Sequence, residues 1–177
     1  MSGKLLRAVA ATGALAFVSE GALELAHHQH DHFSGAADYL IEAAFALGLL
    51  LTLAGLFALH LRQERDLRAL GTWSFRVAVC GQGALGVVAF ATLVRGQDAL
   101  GPVFPIAVLA WVLGTIGYAV AMHHAGALPR WLAFVLAGGT VVGILVNPGG
   151  AIVLGGLWLA VATQVLGDRY ELRPAVL

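Results

Sequence analysis

Nine residues between positions 20 and 42 carry side chains able to hold a cation: Glu20, Glu24, His27, His28, His30, Asp31, His32, Asp38 and Glu42. Glu20, Glu24, His27 and Asp31 are spaced four, three and four apart, so a continuous helix would line them up along one face. Asp38 and Glu42 are likewise four apart, and a short loop would bring the two sets together. Imidazole combined with carboxylate suits zinc, nickel, cobalt, iron or copper(II), whereas a soft copper(I) site would want thiolates. The single cysteine, Cys80, excludes an intramolecular disulfide and any cysteine-only metal cage. Glu24-x-x-His27 has the spacing that carboxylate-bridged di-metal sites use in helical bundles, but the chain has no second copy of that motif. The bland alternative is a polar loop whose histidines merely meet water. Glu20 and Glu42 argue against it, because a carboxylate at membrane depth costs about 2–3 kcal/mol and normally faces a cavity, a partner or a proton path.

Other polar residues point to less. His60, His123 and His124 form a second set, and His60 is 18 residues beyond Glu42, about 27 Å along a helix, hence at the opposite surface. Two histidines at equal depth can ligate a b-type haem, but histidine is also common at helix ends beside arginine, which is the preferred account here. Ser19, Ser34 and Ser74 lack a nucleophile-elbow setting, so no hydrolase chemistry is read. Gly81-Gln82-Gly83-Ala84-Leu85-Gly86 matches a dinucleotide fingerprint only in letters, since no strand precedes it. These glycines, with Gly139 and Gly143, are expected to let helices approach closely. Gln82, Thr163 and Gln164 could bond between helices.

The elements that must position these residues follow from composition. The chain has 177 residues, 59% hydrophobic and 11% charged, where a soluble domain is usually about a quarter charged. So little charge cannot solvate a surface, and lipid must be the solvent for much of the chain. A helix satisfies its own backbone in that setting. A span needs about 20 mostly apolar residues, and runs at 5–26, 39–60, 74–94, 103–124, 130–146 and 149–167 meet or approach that. Basic residues orient them: Lys4, Arg7, Arg62, Arg65, Arg68, Arg130, Arg169 and Arg173 fall on one side and Arg95 alone on the other, with Arg76 snorkelling inward. The expectation is therefore an all-α integral membrane bundle of six transmembrane helices, one domain over residues 1–177, with both termini cytoplasmic. Trp73, Trp131 and Tyr170 would mark the inner interface and Tyr39 the outer. Asn147-Pro148-Gly149-Gly150 would turn the last two helices into a hairpin. Lys4 and Arg7 before the apolar stretch 8–19 also suit a signal peptide, whose removal would leave five spans.

His27-His28-Gln29-His30-Asp31-His32 resembles the His…Asp-His signature of nickel/cobalt permeases, although in that family the histidine stands one residue further from the Asp-His pair and the motif lies in a helix. The segment 126–133, Gly-Ala-Leu-Pro-Arg-Trp-Leu-Ala, with the glycine-rich apolar helices after it, resembles small multi-span membrane proteins of high-GC bacteria, mostly without assigned function. Length and organisation are similar to the six-helix substrate-binding subunits of energy-coupling-factor transporters, with Ala10-x-x-x-Ala14 in the place of their small-residue contact. The first of these resemblances implies metal chemistry, and none implies a particular activity.

The leading expectation is a cell-membrane protein that binds or transports a divalent transition metal (zinc, nickel, cobalt or iron) through the nine residues above, with no catalytic group. The alternatives are a non-catalytic accessory or scaffold subunit, and a b-type cytochrome or other membrane enzyme. Expected partners are the lipid bilayer and a membrane-protein partner or second copy. Zero formal net charge gives no footprint for nucleic acid.

Overall fold

A computed structural model of the chain describes residues 3–27, 33–63, 67–97, 99, 101–146 and 148–164, with the backbone alone for 3, 4 and 62. Among these residues the chain forms six α-helices and no strand: α1 Gly3–Ala26, α2 Ala36–Gln63, α3 Ala69–Arg95, α4 Val103–His124, α5 Arg130–Leu145 and α6 Gly150–Gln164. The helices overlie the six hydrophobic runs. α2 and α3 begin earlier than hydropathy alone indicates, at Ala36 and Ala69, with Asp38 carried in the first turn of α2.

Four helices are long and apolar enough to cross a membrane: 5–26, 36–61, 69–95 and 103–124. α5 and α6 have 16 and 15 residues, which at about 1.5 Å per residue gives roughly 22–24 Å against about 30 Å of hydrocarbon. α5 covers the expected span 130–146 to within a residue, and of 149–167 the described helix covers 150–164, residues 165–167 lying outside the described residues.

Helix packs on helix in chain order, and α6 returns to α1, so the six form a closed ring. Neighbours run antiparallel. Ala10 meets Gly55 and Phe17 meets Gly48 across α1 and α2, while Ser74 meets Gly117 and Trp111 meets Gly81 across α3 and α4. The α3–α4 crossing is the tightest kind, because a β-carbon at Gly81 would collide with the Trp111 amide nitrogen and the Ala107 carbonyl oxygen. The glycine-rich segment is therefore a packing surface, as expected of a span, while Gly83 in the same segment meets no neighbour.

The interior is apolar, built on Phe17, Leu49, Leu56, Leu85, Trp111, Met122, Leu136 and Trp158. The outer surface is apolar as well: Leu47, Val87, Phe90, Ile106, Leu113, Phe134 and Leu145 are exposed. Helices that are apolar on every face suit a bilayer and could not keep a water-soluble bundle dispersed. Trp73, Trp131 and Tyr39 are exposed near helix ends, where aromatic belts lie.

Candidate functional site

A cavity of about 290 Å³ opens in the half of the bundle that holds the α1–α2, α3–α4 and α5–α6 connections, and all six helices contribute to its lining. Its polar groups come from two neighbouring helices: Glu20 and Glu24 from α1, and Glu42 from α2. The four-residue step from Glu20 to Glu24 is one helical turn, so both carboxylates sit one above the other on the inward stripe of α1, as the sequence spacing requires. The apolar lining includes Phe45 of α2, one turn from Glu42, Phe104, Val108 and Trp111 of α4, and Leu85 and Val88 of α3. No lysine, arginine or histidine is among the described lining residues.

Glu20 is 8% exposed, and among the described residues its Oε2 has no hydrogen-bond partner. That is an expensive arrangement, since an unsatisfied polar group in a low-dielectric interior costs on the order of 1–3 kcal/mol and more when it can ionise. Glu24, half-buried one turn further along, is held differently: its Oε2 accepts the backbone N–H of Gly149 at 3.0 Å. Gly149 has φ +93, a left-handed conformation that glycine adopts without strain, and it immediately precedes α6. Glu24 thus both lines the cavity and caps the first turn of α6, where negative charge is favoured. Next to it α5 and α6 come into contact at Gly143 and Gly150, where a β-carbon on Gly150 would strike the Gly143 carbonyl oxygen.

The other expected ligands divide. Asp38 is buried, yet it is not a lining residue; its Oδ2 accepts the Ser34 N–H at 2.7 Å and the Ser34 hydroxyl at 3.2 Å, holding the chain at the start of α2. This is the reach-back of an acidic side chain in a helix's first turn. His27 is exposed at the end of α1, its N–H bonded to the Leu23 carbonyl at 2.7 Å. His28, His30, Asp31 and His32 lie outside the described residues. Among the described residues no group of three or more His, Cys, Asp and Glu side chains is placed to enclose a metal ion.

At the opposite end, His60 is buried with its ring stacked on Phe75, centroids 3.7 Å apart, and it lies 5.9 Å from Tyr118. His123 and His124 are exposed, their rings 5.8 Å apart. The expected histidine set therefore splits between core and surface. Between the two ends, Gln82 of α3 donates through Nε2 to the Leu49 carbonyl at 2.9 Å and to the Thr52 hydroxyl at 2.8 Å, tying α3 to α2. Thr163 bonds within its own helix instead, to Leu159 and Ala160.

Sequence reasoning missed the apolar wall. Phe104, Val108 and Trp111 have the i, i+4, i+7 spacing of one helix face, and Phe45 follows Glu42 by three, but the rest of α4 is equally apolar and gave no cue to which face turns inward.

Fold and site together define a class: a protein all-helical among its described residues, with membrane-compatible helices around a cavity lined by three carboxylates and by aromatic and aliphatic side chains. No protein-family model, curated protein or solved structure matches the chain.

Proposed function

We propose that the protein is a six-span protein of the cell membrane, with both termini cytoplasmic, that binds a cation in the externally placed cavity on Glu20, Glu24 and Glu42, for transport or sensing. The observation that carries this reading is Glu20: a buried carboxylate oxygen without a partner among the described residues, lining a space shared with two further carboxylates and no described basic side chain. Three acidic groups gathered around a space of low polarity create a negative potential that a bound cation relieves, as protonation also would. The orientation rests on the distribution of basic residues, and α5 and α6 complete the span count if flanking residues or a locally thinner bilayer absorb their shortness. The test is binding to detergent-purified protein, by calorimetry, of Zn2+, Ni2+, Co2+, Fe2+ and small alkylammonium ions. At least one should bind stoichiometrically and lose about tenfold or more in affinity in Glu20→Gln. If no member of the panel binds, or Glu20→Gln binds like the parent, the reading is wrong.

A transition metal is the second reading, favoured by the place of His27 three residues beyond Glu24 at the end of α1. It would draw imidazole from His27 and His28, with His30, Asp31 and His32 as the capture loop the sequence suggests. Elemental analysis of gently purified protein tests it: stoichiometric metal that disappears in Glu24→Ala plus His27→Ala supports it, and metal-free protein that also fails to take up added ions refutes it.

A further inference from the structure

The cavity's two walls differ too sharply for a small symmetric ion. Metal ions of the divalent class take four to eight ligands at about 2.0–2.6 Å, distributed around the ion. Here the carboxylates stand on two adjacent helices only, and the remaining helices offer hydrocarbon and aromatic rings. One of the three carboxylates, Glu24, is also engaged in capping α6 through Oε2. A bare ion bound to the acidic wall would leave most of the roughly 290 Å³ to be filled by about ten waters at about 30 Å³ each, against walls that give them few partners. An organic cation meets both walls at once. Its ammonium head would replace the missing hydrogen-bond partner of Glu20, and its apolar body would lie against Phe45, Phe104 and Trp111. Aromatic faces attract a cation in their own right, most strongly when water is excluded. Concave sites with apolar walls and a few convergent polar groups are the usual form of small-molecule sites.

We infer that the occupant of the cavity is an organic ammonium ion with a compact apolar body of roughly ten non-hydrogen atoms, its charged head on Glu20 and Glu42 and its body on the aromatic wall. This rests on the cation reading above and specifies its substrate class.

The experiment uses 2-phenylethylammonium as probe on the full chain in detergent, with methylammonium supplying the head alone, 2-phenylethanol the body alone, and Zn2+ the metal alternative. Calorimetry should give one site for 2-phenylethylammonium, at least about tenfold tighter than for methylammonium or the alcohol. Glu20→Gln should weaken it about tenfold or more, and so should Phe104→Ala, a half-buried position at the start of α4 chosen because Trp111 is almost fully buried and Trp111→Ala would leave a large core cavity. Both variants must elute as monodisperse helical protein; if Phe104→Ala does not, Phe104→Leu, which keeps apolar volume and loses the ring face, takes its place and should weaken the amine more than methylammonium. Equal affinity for the amine and the alcohol, or an amine affinity that Phe104 substitution leaves unchanged, overturns the inference. Stoichiometric Zn2+ with no amine binding overturns it while leaving the cation reading intact, and a protein that binds neither these probes nor any other cation of the panel above sinks both.

Discussion

The two ends of the bundle bury polar side chains in opposite ways. At one end His60 lies flat on Phe75 with Tyr118 beside it, and Phe57 packs edge-on against Phe75 at 5.2 Å, so a polar ring is enclosed by other rings. At the other end Glu20 is buried to the same degree, 8% exposed against 7% for His60, but faces a space. Burial is therefore not what separates a structural polar group from a functional one. What separates them is whether the neighbours close around the group or stand back from it. Gln82, halfway between, supports the same distinction: its amide spends its donors on Leu49 and Thr52 and thereby joins two helices.

The largest effect should come from Glu20. Replacing it with leucine removes a carboxylate without a partner and should raise thermal stability by about 1–3 kcal/mol while abolishing cation binding, a trade that marks functional sites. Thermal unfolding monitored by circular dichroism, run beside calorimetry, checks both halves; a destabilised variant would place Glu20 with the structural polar groups and erase the contrast. Gln82→Leu should do the reverse, lowering stability by about 1–2 kcal/mol and leaving cation affinity unchanged, because it leaves the Leu49 carbonyl and the Thr52 hydroxyl without their donor. Asp38→Ala should cost about 1 kcal/mol through loss of the Ser34 contacts, again with binding intact. Lost binding in that variant would bring Asp38 back among the ligands, where sequence spacing had put it. The smallest effect concerns the Gln82–Thr52 pair itself. A double-mutant cycle with Gln82→Leu and Thr52→Val should return a coupling of about 0.6 kcal/mol, typical of hydrogen bonds between membrane helices.

Much of this organisation is written along the chain. Length and hydropathy of the apolar runs set the helices, since a backbone in hydrocarbon must bond to itself within a helix. The four-residue step between Glu20 and Glu24 put both carboxylates on one stripe, because local geometry alone sets that relation. The same rule says less at Asp38, which shares a stripe with Glu42 but lies in the first turn of α2, where its Oδ2 accepts the Ser34 amide and hydroxyl. Which side of each helix meets the cavity could not be read from periodicity. In a water-soluble bundle the polar face announces the surface, but Ile106, Leu109 and Leu113, which are exposed, are as apolar as Val108 and Trp111, which line the site. Only the close crossings at Gly81 and Gly114, with Ala78 and the Trp111 backbone pressed against them, rotate α4 so that its aromatic side turns inward. The sequence by itself determined where the helices run and which acidic groups share a turn. The tertiary structure decided what those groups face, because small-residue contacts between helices, and not a polarity gradient, choose the inward side in a chain that is oily all round.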